Sequence, residues 1–227
     1  MQVKGIIFDV DGTLVDSNDQ HVEAWQRAFQ SLGHEVPRDR IAAEIGKGGD
    51  QLVPAILGPS VEQEFGSELR QRHTREFRHL IQQQAIRVLP GAVELLQTLQ
   101  DRGLQTVLAT SSKQEEFAAV ERSCGVNLSQ KADLLVTADD AEASKPAPDL
   151  VQAACDKLGL EPKACLMVGD TPYDAQASAQ ADVMCVGLLS GRQHCRQALV
   201  EAGAAAIYRD PADLLQHLEQ VLNSTRV

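Results

Sequence analysis

The stretch GIIFDVDGTLVDS, residues 5–17, places two aspartates, Asp9 and Asp11, directly behind three apolar residues, Ile6, Ile7 and Phe8. An unbroken apolar run of this kind reads as a buried strand of a parallel sheet. Two carboxylates at the exit of such a strand repel each other, and burial raises that cost further. The remainder of the chain must therefore bring compensating groups to the same place. Finding them decides both the fold and the chemistry.

From residue 88 onward short apolar runs alternate with helical periodicity. The runs QTVLAT (105–110), DLLVT (133–137), ACLMVG (164–169) and VMCVGLL (183–189) read as strands. Between them AVELLQTLQDRG (92–103) and PDLVQAACDKLG (148–159) carry apolar residues at three- and four-residue spacing and end in glycine. Strands separated by helices imply right-handed βαβ units and one parallel sheet, to which VKGIIF (3–8) adds a central strand. The tail from Asp210 to Val221 reads as one closing amphipathic helix.

Residues 15–87 differ. HVEAWQRAFQSLG (21–33) and VEQEFGSELRQRHTREFRHLI (61–81) have helical periodicity and no strand pattern, so this segment reads as a helical insertion. The expected organisation is a core from residues 1–14 and 88–227 with an all-helical cap from 15–87. Charge divides the same way. The insertion holds eleven acidic and nine basic residues, net −2, against twenty-one and twelve elsewhere, net −9. A less acidic insertion suits a lid over an anionic ligand, although RQRHTREFRH (70–79) taken alone reads equally as a solvated helix face.

Composition bounds the function. A net charge of −11 argues against non-specific nucleic-acid binding, which needs a basic face. Five widely spaced cysteines with no C-x-x-C pair form neither a disulfide framework nor a zinc site, and Cys165 and Cys185 lie inside apolar runs as buried thiols. The N-terminus MQVKGIIFDV lacks the apolar region of a signal peptide, and no run approaches membrane-spanning length. The expectation is a cytoplasmic, monomeric protein with no membrane partner.

In open parallel sheets chemistry gathers at the carboxyl ends of the strands. There the sequence delivers Asp9 and Asp11, then Thr110, Ser111 and Ser112, then Lys145, and finally Asp170 and Asp174 within GDTPYD. Two unit charges 4 Å apart repel by about 4 kcal/mol at an effective dielectric near 20, so clustered carboxylates call for a cation. An all-oxygen donor set points to magnesium. Lys145 balances an aspartate and holds a phosphoryl oxygen, and Thr110 and the Ser111 backbone amide donate to the same group. These parts make a phosphate pocket. A carboxylate there is a competent nucleophile toward phosphorus, with Asp9 the rigidly held candidate and Asp11 placed to protonate the leaving oxygen and then activate water.

FDVDGT, the strand ending at Thr110, Lys145 in SKPAPD and GDTPYD resemble, in order, the four motifs of the haloacid dehalogenase superfamily, in the subgroup with a helical cap after the first strand. The resemblance spans essentially the whole chain. It implies a Rossmann-like three-layer core, an aspartyl-phosphate on Asp9, acid–base work at Asp11, and Mg2+ held by the Asp9 side chain, the Asp11 backbone carbonyl and Asp170, with Asp174 supporting. The second aspartate favours phosphoryl chemistry over carbon–halogen cleavage. The branch it is most similar to holds phosphoglycolate phosphatases and β-phosphoglucomutases, which implies a small phosphorylated metabolite as substrate.

Three readings are open: a phosphomonoester phosphatase, a β-phosphoglucomutase-type transferase, and a non-catalytic binding protein on the same scaffold. DS…HVEAW (16–25) is similar to the mutase stretch, but GKGGDQL puts Gly49 where the resemblance predicts a basic residue for a second phosphate. None of the four motifs has lost a residue, as a binding protein would allow. In the cap, Lys47 in the Gly46–Gly49 loop reads either as a substrate contact or as an exposed loop lysine. His21 and Trp25, one helical turn apart, either face the core, with His21 as a substrate contact from the cap, or pack together. Gly191 and Arg192 follow the last strand at the edge of the site.

Overall fold

The computed structural model describes residues 3–224. Along the chain run β1 (Gly5–Phe8), β2 (Val15–Asp16), α1 (Asn18–Gln30), α2 (Arg38–Ala42), α3 (Gly49–Leu57), α4 (Pro59–Gln83) and β3 (Arg87–Val88). Then come α5 (Ala92–Asp101), β4 (Gln105–Ala109), α6 (Gln114–Cys124), β5 (Leu134–Val136), α7 (Asp149–Leu158), β6 (Cys165–Gly169) and α8 (Pro172–Gln180). The chain closes with β7 (Met184–Leu188), α9 (Arg196–Glu201), β8 (Ala206–Tyr208), α10 (Pro211–Gln216) and α11 (Leu218–Ser224).

Six strands form one parallel sheet in the order β5-β4-β1-β6-β7-β8. β1 is central, pairing Phe8 with Leu108 on one side and Val168 on the other. Side chains alternate across the sheet, as a strand period of two requires. Ile6 and Phe8 enter one apolar cluster with Leu95, Leu99 and Phe117, while Ile7 enters another with Leu150, Val151 and Ala175. Helices thus cover both faces, giving the three-layer α/β fold. This arrangement explains why β1 has no polar residue: neither face meets water.

The helical segment is built separately. α1 to α4 enclose a third cluster of Val22, Trp25, Phe29, Ile41, Leu52 and Leu69. The chain enters and leaves this segment side by side, because β2 and β3 pair antiparallel through Val15–Val88 and Asp16–Arg87.

Three features depart from the sequence reading. The closing helix is two helices, α10 and α11, broken at His217. β8 is a three-residue edge strand in an alanine-rich stretch, too short to show alternation. The two-residue pair β2–β3 carries no pattern of its own. The five cysteines are free, with Cys165 and Cys185 buried. No helix among the described residues is long and apolar enough to cross a membrane.

Candidate active site

The carboxyl ends of β1, β4 and β5 open onto one cavity of about 280 Å3 between the sheet and the helical segment. Asp9 leaves β1 with its backbone N–H donated to Val168 O at 2.9 Å, which fixes it to the neighbouring strand. The turn behind it needs Gly12, whose φ of +77° lies in the left-handed region and whose missing side chain leaves room for the Asp170 carboxylate. Asp170 follows β6. Thr171 caps α8 with its hydroxyl while Asp174 returns a carboxylate oxygen to the Thr171 N–H at 3.0 Å, a reciprocal capping box.

Lys145 ties these elements together. It is 1% exposed, and its Nζ donates to Asp9 Oδ1 at 2.6 Å and to Asp174 Oδ1 at 2.7 Å. Burial pulls its pKa down, but Asp174 and Asp9 outweigh that and hold it above the ordinary lysine value. Asp9, Asp170 and Asp174 each offer a carboxylate oxygen within 4.8 Å of the others, all buried. One ammonium does not neutralise three carboxylates. Burial, opposed by Lys145, raises Asp9 to about 7, and burial with the charges of Asp9 and Asp174 pushes Asp170 well above its usual range. Asp170 accepts from Thr13 Oγ1 and Asn18 Nδ2, both at 2.9 Å, which orients its carboxylate without neutralising it. Such an oxygen-rich, charge-deficient cluster fits a hard divalent cation.

Asp11 sits in a different environment. Its Oδ1 accepts from Ser17 Oγ at 2.5 Å and lies 3.2 Å from His21 Nε2. Burial raises its pKa, yet His21 and Ser17 together lower it below the ordinary value, and reciprocally His21 is raised. His21 stacks on Phe77 with centroids 3.8 Å apart, and its Nδ1 lies 3.1 Å from His73 Nε2. Trp25 stacks on His73 at 4.2 Å. His21 therefore both faces the core and packs inside the helical segment.

The hydroxyls divide. Thr110 is buried, and its Oγ1 accepts from the Ser112 N–H at 3.0 Å, a local turn bond. Ser111 lines the cavity, and its Oγ is buried with no hydrogen-bond partner among the described residues. A buried hydroxyl left unpaired is a donor waiting for a ligand. Ser112 Oγ donates to Glu116 at 2.9 Å.

From the helical segment, Lys47 lines the cavity, pairs with Glu44 and lies 4.7 Å over the Tyr173 ring. Tyr173 Oη donates to Ala43 O at 2.7 Å and Ser144 N–H to Asp50 Oδ2 at 3.2 Å, so the loop is seated on the core. Arg70 fills the space beside Gly49 and donates to both Glu62 oxygens at 2.7 and 2.9 Å. Gly191 carbonyl accepts from Asn18 at 3.3 Å at the rim, whereas Arg192 turns away to Asp16 at 2.6 Å. Thr13, Ser17, Asn18, His73 and Glu116 did not emerge from the sequence. Ser17 and Asn18 stand close enough behind the second aspartate that proximity was their one available signal.

A family model described as haloacid dehalogenase-like hydrolase matches residues 3–182. Validoxylamine A 7'-phosphate phosphatase of Streptomyces hygroscopicus is 31% identical, over 88% of this chain and 91% of that protein. Hexitol phosphatase A of Escherichia coli is 29% identical, over 97% and 94%. The crystal structure of a hydrolase from Pseudomonas syringae superposes with a TM-score of 0.89 at 35% identity, over 97% and 99%.

Proposed function

Given that the chain belongs to the haloacid dehalogenase-like hydrolase family, we propose that it is a magnesium-dependent phosphatase acting on a small phosphorylated sugar or polyol. The observation that carries this reading is the Asp9–Asp170–Asp174 cluster, whose Asp9 shares one cavity with Lys145 and with the Ser111 hydroxyl, which has no partner among the described residues. The names of the two relatives, one a phosphatase of validoxylamine A 7'-phosphate and the other a hexitol phosphatase, support the substrate class. Among the cavity-lining residues, Asp50, Glu142 and Lys113 offer polar groups to a polyhydroxylated ligand.

Asp9, Asp170 and the Asp11 backbone carbonyl would hold Mg2+, with Asp174 supporting through Lys145. When bound, the ion supplies charge neutralisation for the carboxylates and for the phosphoryl oxygens. An Asp9 carboxylate oxygen attacks phosphorus, an aspartyl-phosphate forms, and the ester P–O bond breaks. Asp11 gives the departing alkoxide its proton. Because His21 Nε2 lies 3.2 Å from Asp11, the pair holds that proton between them, and its loss leaves neutral imidazole and carboxylate. Asp11 then takes a proton from water as the oxygen attacks phosphorus, which releases phosphate and restores Asp9. Lys145 and Ser111 stabilise the charge spread over the phosphoryl oxygens. Residues 15–87 act as the cap that excludes bulk water.

Mutase activity needs a free cation from the helical segment to grip a second phosphate. Arg70, the guanidinium beside Gly49, is already engaged by both Glu62 oxygens, which favours hydrolysis. The test is inorganic phosphate release from a panel of sugar and polyol phosphates, with magnesium and with chelator, for the native chain and Asp9→Asn. Magnesium-dependent release lost in Asp9→Asn is expected. Equal release by the variant would overturn the covalent role of Asp9.

A further inference from the structure

His21, His73 and Glu116 converge beside the carboxylate cluster without belonging to it. Each is buried, and one ligand atom from each lies within 4.8 Å of the other two. Phosphoryl transfer as described uses neither His73 nor Glu116. We infer that these three side chains form a second cation site, selective for zinc or a similar first-row transition ion, that joins α1 and α4 of the helical segment to α6 of the core.

The chemistry of the donors separates the two sites. Asp9, Asp170 and Asp174 offer only carboxylate oxygens, which suit magnesium, whereas two imidazoles and a carboxylate suit zinc. Two nitrogens bound at about 2.0–2.1 Å with a tetrahedral angle stand about 3.3 Å apart. His21 Nδ1 and His73 Nε2 are 3.1 Å apart, close to that spacing, so an ion taking the place of their shared proton needs the two rings to turn toward a common point rather than to move apart. Binding through Nδ1 leaves His21 Nε2–H directed at Asp11 Oδ1, 3.2 Å away. A carboxylate accepting from the far nitrogen of a metal-bound histidine fixes its tautomer and strengthens it as a ligand. Ring stacking on Trp25 and Phe77 holds both imidazoles in place. Burial, reinforced by His21, keeps His73 neutral and its lone pair available.

All three residues line the cavity, so a fourth ligand position faces it. An ion there would fasten the cap to the core over the active site. This assignment stands apart from the phosphatase reading, since it needs no turnover.

The test uses the whole chain, stripped with chelator, dialysed and saturated with magnesium so that the carboxylate cluster is filled. Cobalt(II) is then titrated while the visible absorption of a four-coordinate, imidazole-ligated ion is followed, and zinc is added to displace it. The band is expected in the native chain and in Asp170→Asn. In His73→Gln and Glu116→Gln the cobalt affinity should fall by about 100-fold or more, beyond the effect of losing a ligand's outer partner. Should His73→Gln fail to fold, Glu116→Gln alone decides. A band absent in the native chain, or one lost in Asp170→Asn and retained in Glu116→Gln, would overturn the site.

Discussion

Replacing Lys145 with methionine removes one charge while keeping most of the side-chain volume, and the structure predicts two separable losses. The ammonium lies 2.6 Å from Asp9 and 2.7 Å from Asp174 and is 1% exposed, so no water replaces it. Attraction to each carboxylate is about 6 kcal/mol at an effective dielectric of 20, but desolvation of all three groups offsets much of that. Breaking a buried pair by removing one partner costs about 3–5 kcal/mol, and that is the figure to use. For a chain of this size each kcal/mol shifts Tm by about 2–4 °C, giving a fall of about 6–20 °C in chelator.

The assay is thermal unfolding at pH 8 and pH 5, with chelator and with magnesium. Asp9 sits near 7 in the folded chain because burial outweighs Lys145, so at pH 5 it carries a proton and needs no partner. The penalty should therefore shrink at pH 5, and magnesium should recover part of it at pH 8. Phosphate release should fall by about 10²–10³, the scale for losing one preorganised donor to a transition-state oxyanion. A variant whose Tm in chelator at pH 8 stays within about 2 °C of native would refute the claim that Lys145 is the counterion of the cluster.

Other outcomes rest on the same geometry. Asp9's folded pKa of about 7 exceeds its ordinary 3.8, so the folded chain retains a proton the unfolded chain has lost across that window, and this contribution falls as pH rises. The Tm of Asp9→Asn relative to native, in chelator, should thus rise from pH 5 to pH 7, and magnesium should cancel the trend; a constant difference would contradict it. Asn18→Ala removes the 2.9 Å donor to Asp170 and should weaken magnesium binding by about 10–100-fold, measured by calorimetry. Ser111→Ala deletes a buried hydroxyl that has no protein partner among the described residues, so Tm should hold or rise slightly while kcat/KM falls about tenfold. A Tm loss above about 3 °C would mean that hydroxyl is structurally engaged.

The sheet was legible because burial on both faces leaves a continuous apolar signature, and β1, β4, β6 and β7 all carry it. β8 escaped for the converse reason. Its residues are intermediate in exposure, and AIY is too short to show a period. The break at His217 was equally hidden, because DLLQHLEQVL keeps helical spacing across it. No breaker residue marks the turn there, and α10 packs against α5 just before it. Local pattern reports what a segment buries, not where it bends.

The same distinction governs the site. Strand ends are fixed points, so Asp9 and Asp170 were readable from the residues just beyond β1 and β6, and Lys145 from the segment between β5 and α7. His21 was visible as a residue that either faces the core and touches substrate or packs in an amphipathic pair, and its link to Asp11 below it and to His73, fifty-two residues away, behind it was not. A helix carries no mark of which neighbour its polar residue will meet. Thr110 and Ser111 show the limit at finer grain. Of two adjacent hydroxyls after one strand, Thr110 accepts from the Ser112 N–H, while Ser111 has no partner among the described residues. Charge arithmetic reaches further than pattern here. Fully ionised, three buried carboxylates against one ammonium leave two negative charges unbalanced, and protons on Asp9 and Asp170 or one divalent cation would balance them.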